Sequence, residues 1–186
     1  MLTFRTANIY LIIFAVAGTL LVILDIQYFW LLIILASAYF YLLVTGSVKV
    51  CSGFYMDVLC KGNTDEKLVA LTFDDGPDAI HTLRVLEILE KHQVPATFFI
   101  IGSKAEQQED IIRQIISKGH SLGNHSYSHA FLFDLYRRKK MERDLMKTEE
   151  VVMKITGKKP VLFRPPYGVT NPVVARVVKK LGYKAV

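Results

Sequence analysis

Two long runs of uncharged, mostly apolar residues lie close together at the start of the chain. Residues 1–50 contain only three charged side chains, namely Arg5, Asp25 and Lys49. As helices, the runs 9–24 and 28–44 would each be roughly 25 Å long, slightly short for a hydrocarbon core of about 30 Å. We therefore expect a helical hairpin that crosses a membrane twice, with one span plus an interfacial segment as the alternative.

The side of the membrane is harder to predict, because a hairpin places both of its ends on the same side. Its flanks carry Arg5, Lys49 and Lys61, whereas the short turn 25–27 carries only an acid. By the positive-inside rule these few charges favour a cytoplasmic domain, but long domains often translocate regardless of them. We expect a multi-pass protein of the cell membrane with an extracytoplasmic C-terminal domain.

The segment 51–67 predicts a linker, because it is rich in glycine and other residues that interrupt regular structure. It contains both cysteines, Cys51 and Cys60, whose spacing fits no zinc motif. They can form a disulfide in an oxidising compartment or remain as two thiols, and the sequence leaves both open.

The net charge of +6 does not indicate a nucleic-acid partner. The basic residues are dispersed apart from one cluster, 137–140, and no nucleic-acid-binding motif accompanies it. We interpret the cluster as the solvated start of a helix. Attraction to anionic lipid headgroups is a better use of the net charge.

From Leu68 onward, short apolar runs alternate with helical patterns. The apolar runs are 68–73, 96–101, 120–123, 161–163 and 183–186, and the helical patterns are 80–92, 103–118, 138–156 and 171–181. Repeated βα units with short loops predict a parallel sheet, either open or closed into a barrel. The functional site is expected at the carboxyl ends of its strands.

The first apolar run ends in two adjacent carboxylates, Asp74 and Asp75, followed by a Gly-Pro breaker. Neighbouring strand residues point to opposite faces, so both acids can reach one cleft only where the strand gives way to a loop. Such a pair suits a metal site, in which one carboxylate binds the ion and the other handles protons. Taken alone, an ordinary Asp-rich turn is the favoured interpretation.

Two later motifs favour the metal site. His125 and His129 would share one face of a helical turn, and neutral imidazole is a common zinc ligand. With Asp75 they make a three-ligand set that leaves a fourth position for water, as in catalytic zinc sites. The run 164–168, Arg-Pro-Pro-Tyr-Gly, follows a strand, and its prolines would hold the Tyr167 amide in one place. A rigid surface turn is the alternative.

In this order and spacing, the three motifs resemble those of the polysaccharide deacetylases of the NodB-homology type, carbohydrate esterase family 4. The resemblance runs from about Leu68 to the chain end. It implies an α/β fold, a distorted incomplete (β/α) barrel, here preceded by the transmembrane hairpin. The expected organisation is a membrane anchor at 1–50, a linker at 51–67 and a deacetylase domain at 68–186 that is incomplete at its C-terminus.

The resemblance also implies a role for each motif residue. Asp74 would be the general base, Arg164 would orient it, and the backbone N–H of Tyr167 would help to hold an oxyanion. A divalent metal ion, with zinc expected, would be bound by Asp75, His125 and His129.

The implied function is that of a membrane-anchored hydrolase, which removes N-acetyl groups from an amino-sugar polysaccharide or glycoconjugate similar to peptidoglycan or chitin. Two alternatives remain, a catalytically impaired carbohydrate-binding pseudoenzyme and a deacylase or deformylase of a lipid-linked sugar. The expected partners are that polysaccharide or lipid-linked glycan and the lipid bilayer.

The family takes its proton donor from a late Leu-x-His motif, which no residue after Tyr167 matches. We therefore expect either a piece of a longer protein or an impaired form. His81 is a possible substitute donor, although a residue at the start of a helix is the simpler interpretation.

Overall fold

The computed structural model of the chain describes residues 2–186. The helices are α1 (Phe4–Leu24), α2 (Phe29–Val48), α3 (His81–His92), α4 (Gly102–Gln107), α5 (Glu109–Ser117), α6 (Arg138–Thr156) and α7 (Pro172–Leu181). The strands are β1 (Leu71–Gly76), β2 (Ala96–Ile100), β3 (Ser121–Asn124), β4 (Leu162–Phe163) and β5 (Lys184–Ala185). The pattern predicted as one helix at 103–118 is two, because the backbone breaks at Gln108 between α4 and α5.

The five strands form one parallel sheet in the order β1-β2-β3-β4-β5, which is also their order in the chain. In a doubly wound sheet the order reverses at a switch point, whereas a barrel is wound in one direction. The described strands are therefore arranged as consecutive strands of a barrel wall. The predicted α/β fold with a parallel sheet is confirmed.

The core lies between this sheet and its crossover helices and has two parts. One part packs β1–β3 against α3–α6 and includes the buried Phe98, Ile100 and Ile112. The other packs β4 and β5 against α6 and α7 around Phe163 and Val177. Helix α7 begins as the sequence predicts, because the Asn171 side chain accepts hydrogen bonds from two backbone N–H groups of its first turn.

The first strand differs from the prediction at both ends. Leu68 and Val69, expected in a buried strand, are exposed and lie before it, and β1 continues through both acids to Gly76. Within the sheet β1 pairs with β2 alone, so its apolar residues are only partly covered. Its register with β2 shifts between Phe73 and Gly76, which is the irregularity of a β-bulge.

Helices α1 and α2 form the predicted hairpin, joined through Asp25 and a short turn at Ile26–Tyr28. Both are long and apolar enough to cross a membrane, with mean hydropathies of 2.4 and 2.1 for Phe4–Leu24 and Ile26–Val48. Large apolar side chains are exposed around both helices, which suits a lipid environment better than water. A hydrogen bond from the Tyr39 hydroxyl to the Asn8 side chain joins the two helices.

The segment expected to be a linker is packed in its first half. Cys51 and Cys60 form a disulfide, which settles the open alternative. The Phe54 ring is buried against Gly46 of α2. Val58 then lies beside Ala185 of β5, which continues the sheet by one bridge. The end of the hairpin is thus fastened directly to the α/β domain.

Candidate active site

The bulge in β1 allows two neighbouring strand residues, whose side chains would otherwise point to opposite faces of the sheet, to reach one site. Asp75 has a φ of 66°, in the left-handed region that residues other than glycine rarely adopt. Because the backbone turns at this residue, the carboxylates of Asp74 and Asp75 both lie at the same end of the sheet. The bulge is the local structure behind the paired carboxylates.

Asp75, His125 and His129 come together as a three-ligand group. The Asp75 Oδ1 atom lies 3.1 Å from Nε2 of His129 and 3.5 Å from Nε2 of His125. Ligand atoms placed 2.0–2.1 Å from a tetrahedral zinc ion lie about 3.3 Å apart, so these separations suit one ion. Asp75 is exposed while His125 is buried, so the group is open on one side.

The environment of His125 favours a neutral imidazole. Burial lowers the pKa of its imidazole, which outweighs the opposing effect of a hydrogen bond to the Arg164 carbonyl oxygen. In that bond Nδ1 lies 2.7 Å from the oxygen, so Nδ1–H is the donor. The Nε2 lone pair then points to the shared ligand position, the arrangement that orients histidine ligands in metal sites.

The histidine motif does not form the predicted helical turn. Residues 125–130 form a bent loop, in which Ser126 has a φ of 69° and His129 a φ of 44°. The Ser126 hydroxyl accepts the His129 N–H at 2.9 Å, which closes the bend. This loop, and not helical periodicity, brings both imidazoles to the Asp75 carboxylate.

Two residues that we did not assign to the site hold the loop in this shape. Asp144 of α6 accepts the Tyr127 N–H at 2.7 Å and the Ser128 hydroxyl at 2.6 Å. Asn124 accepts the Ser126 N–H at 2.9 Å and is fully buried. Asp144 carried no sequence signal, because an acid on a helix surface is ordinary.

Arg164 fixes the second carboxylate. Its Nη1 atom donates to Oδ1 of Asp74 and to the Thr72 hydroxyl, each at 2.9 Å. Its guanidinium rests on the buried Phe99 ring, 4.2 Å from the centroid. These contacts leave the other Asp74 oxygen free of this ion pair and hold the carboxylate beside the ligand group.

Tyr167 lies beside His129. Its φ is 59°, and its N–H has no hydrogen-bond partner within residues 2–186. Its ring packs 4.8 Å from that of His129, and its hydroxyl donates to the His129 carbonyl oxygen at 3.3 Å. An unpaired amide near the candidate metal ligands can receive a negatively charged oxygen.

The remaining candidate, His81, has another role. Its Nδ1 atom lies 2.7 Å from Asp78, which also accepts the N–H groups of Ile80 and His81. These three bonds lower the pKa of Asp78 to about 2. His81 is thus the first residue of α3, beside an Asp78 carboxylate that accepts N–H groups at the start of the helix, as the simpler interpretation had it. All six residues named from the motifs are brought together, and their roles remain predictions.

Comparison with known proteins identifies the family. A family model described as polysaccharide deacetylase matches residues 61–186. The chain belongs to the polysaccharide deacetylase family. The peptidoglycan-N-acetylglucosamine deacetylase of Bacillus cereus is 37% identical over 122 residues, 66% of this chain and 56% of that protein. The peptidoglycan-N-acetylmuramic acid deacetylase PdaA of Bacillus subtilis is 40% identical over 131 residues, 70% of this chain and 49% of that protein.

Solved structures agree with this assignment to the polysaccharide deacetylases. Peptidoglycan deacetylase PdaC from Bacillus subtilis matches with a TM-score of 0.61 and 33% identity, over 66% of this chain and 58% of that one. A pseudoenzyme of carbohydrate esterase family 4 from Bacillus anthracis matches with a TM-score of 0.62 and 28% identity, over 67% of this chain and 44% of that one. The chain spans about half the length of the curated relatives described above.

Proposed function

We propose that this chain carries a metal-dependent N-deacetylase site for an amino-sugar polysaccharide of the peptidoglycan class. The observation that carries the proposal is the pairing of two units in one cleft. One is the ligand group of Asp75, His125 and His129, and the other is the carboxylate of Asp74 held by Arg164. Family membership supports it, as do relatives named for deacetylation of peptidoglycan.

The ligand group suits a divalent ion, and zinc is proposed because two neutral imidazoles and one carboxylate are its usual ligands at open catalytic sites. When bound, such an ion polarises an acetamide carbonyl and lowers the pKa of a water molecule. In this chain Asp74 would accept a proton from the attacking water, with Arg164 fixing the direction of the carboxylate. The free N–H of Tyr167 donates to the developing oxyanion, a contribution that is commonly about 3 kcal/mol.

We propose further that the domain is held on the extracytoplasmic side of a cell membrane by the α1–α2 hairpin. Two helices of sufficient length and hydropathy support the anchor. The Cys51–Cys60 disulfide, directly after α2, supports the extracytoplasmic side, because disulfides persist in oxidising compartments.

Deacylation of a lipid-linked amino sugar is the second candidate. It is favoured by one contact, in which the backbone N–H of Thr170 donates to the Ser47 carbonyl oxygen in the last turn of α2 at 3.0 Å. The segment that carries Tyr167 therefore lies next to the proposed membrane anchor. A lipid-linked substrate would reach such a site without leaving the bilayer.

The test separates proton transfer from metal binding. We expect Asp74→Asn to abolish release of acetate from N-acetylglucosamine oligomers while zinc affinity stays near that of the parent, because the amide accepts no proton at neutral pH. Asp75→Asn should lose both activity and zinc. Asp65→Asn, which removes an exposed acid from the preceding segment, is the matched control.

The outcomes can be told apart. Loss of zinc from Asp74→Asn on the scale of Asp75→Asn would mean that the two carboxylates have exchanged roles. Zinc binding without acetate release in the parent would favour a pseudoenzyme. Acetate release from a lipid-linked sugar alone would favour the second candidate.

A further inference from the structure

An exposed apolar and basic surface lies beside the candidate site, and neither the motifs nor the proposed chemistry accounts for it. It consists of Phe131, Leu132, Leu135, Arg137 and Lys139, here called the loop surface. Its three apolar side chains are 79%, 52% and 69% exposed, in that order. Large apolar side chains grouped in this way on a solvent-exposed face mark an interaction site.

The loop that carries this surface is anchored from below. Phe133 is buried in the core, and its ring packs 5.6 Å from that of Tyr136. The Lys140 ammonium lies over the Tyr136 ring, 3.6 Å from its centroid. The outward apolar side chains therefore stand on a fixed base.

One end of the loop surface touches the candidate site. The Phe131 ring packs edge to face with the ring of Tyr167, with 5.8 Å between centroids. Tyr167 in turn packs on the metal ligand His129. Whatever covers Phe131 thus lies at the rim of the cleft.

The other end lies next to the hairpin. The Asp134 carbonyl oxygen accepts the Asn171 side-chain amide at 2.6 Å, and the preceding residue, Thr170, donates to Ser47 of α2 at 3.0 Å. Chain geometry then places the Asp134 carbonyl within about 13 Å of the Ser47 carbonyl. Because α2 ends at Val48, the loop surface lies close to where that helix would leave the bilayer.

The charges of the loop surface also need an explanation. Within the described residues Arg137 and Lys139 form no ion pair, whereas Arg138 pairs with Glu142. They stand at the start of α6, whose first turn holds no acid. The helix dipole disfavours cations at that end, so helix stability does not explain the cluster.

We propose that the loop surface docks on an anionic bilayer surface and so presents the candidate active site to glycan close to the membrane. Apolar side chains flanked by unpaired cations are the composition of interfacial membrane-binding segments. Its continuity with the hairpin end places the same bilayer within reach. The proposal rests on the hairpin of the proposed function and deepens it, because it restricts the substrate to N-acetylated amino sugars near the membrane.

The experiment uses the full chain in vesicles of phosphatidylcholine and phosphatidylglycerol. A fluorophore is attached through Leu132→Cys, and in the matched control through Ile88→Cys, a similarly exposed apolar position on α3. The native cysteines are paired, so neither competes for the label. Lipids with a nitroxide at the headgroup should quench the fluorophore at Leu132→Cys and leave that at Ile88→Cys nearly unchanged.

The charge contribution is tested with Arg137→Gln together with Lys139→Gln. Each basic side chain near an anionic surface contributes about fivefold to binding, so the pair should weaken docking about 25-fold at low salt. Quenching at Leu132→Cys should fall in this variant and in vesicles without phosphatidylglycerol. Because the readout needs no catalysis, failure of the deacetylase proposal would be seen separately in the acetate assay.

Several results would overturn the proposal. Equal quenching at the two positions would place the loop surface in water. Quenching at Leu132→Cys that changes neither with the loss of Arg137 and Lys139 nor with the loss of phosphatidylglycerol would contradict the electrostatic part of the proposal. Protection of the Leu132→Cys fluorophore by soluble N-acetylglucosamine oligomers in detergent would make it a glycan contact. Release of the chain from vesicles by carbonate would remove the hairpin premise.

Discussion

Removal of the Asp144 carboxylate should loosen the histidine loop without unfolding the domain. In Asp144→Ala the loop loses two hydrogen bonds to a charged group, those of the Tyr127 N–H and the Ser128 hydroxyl. Such bonds are worth about 1.5–3 kcal/mol each, and the lower end applies to the exposed Ser128. Two backbone bonds from α4, to the carbonyl oxygens of Ser126 and Tyr127, remain.

The lost order should appear as weaker metal binding. Loss of a partner that orients metal ligands commonly costs 10- to 100-fold in affinity, so we expect about that change in the zinc dissociation constant of Asp144→Ala. Asp144→Asn keeps one acceptor for the Tyr127 N–H and should fall near the tenfold end. The assay is competition with a chromophoric chelator, using full-length chain in detergent, with circular dichroism to confirm folding.

The matched control is Glu150→Ala, which removes the same charge from the exposed face of the same helix, α6. It should bind zinc like the parent. If Asp144→Ala binds zinc as tightly as Glu150→Ala, the loop is ordered without the carboxylate. The role assigned to Asp144 would then be refuted.

Three further predictions concern the sheet, an alkaline transition and the hairpin. In Gly123→Ala the new Cβ would lie 2.3 Å from the Phe99 ring, so we expect the free energy of unfolding in urea to fall by about 1–3 kcal/mol. Activity should also fall, because Arg164 rests on that ring. An unchanged free energy of unfolding would mean that the ring moves freely. Burial raises the pKa of Tyr183, so the stability that this residue contributes is complete below pH 10 and is lost as the pH rises further. The free energy of unfolding of Tyr183→Phe should therefore decline less above pH 10 than that of the parent. Parallel declines in the two proteins would contradict the assignment. The full chain should stay in the membrane pellet after carbonate extraction, and a variant without residues 1–46 should be released to the supernatant. Recovery of the full chain in the supernatant would exclude two spans.

The ligand set could be predicted from the sequence because each motif is short and chemically distinctive. Two acids after an apolar run, two histidines four apart and an Arg-Pro-Pro-Tyr-Gly turn named all six residues that the structure brings together. The alternation of strand and helix patterns likewise placed them at one end of a parallel sheet, because carboxyl ends of parallel strands share an edge.

The conformations that make the site work could not be predicted in this way. The helical turn proposed for His125 and His129 is a bent loop, because contacts with distant parts of the chain override local periodicity. Ser126 and His129 have positive φ values, which are costly for such residues and persist only where the surroundings impose them. Here the surroundings are Asp144, which holds the loop directly, and Leu145 and Tyr183, which fix the Asn124 side chain that accepts the Ser126 N–H.

By itself, the sequence determined the chemical identity of the site, the order of the elements and the apolar character of the first 50 residues. These features depend on residue type and on spacing within short segments, which hydrophobic periodicity and turn chemistry report directly. The tertiary structure alone decided three things: the bulge that aims Asp75, the hydrogen bonds from the histidine loop to Asp144, and the docking of the hairpin end on Thr170. Each depends on long-range packing, and local patterns carry no record of which distant group will supply the partner.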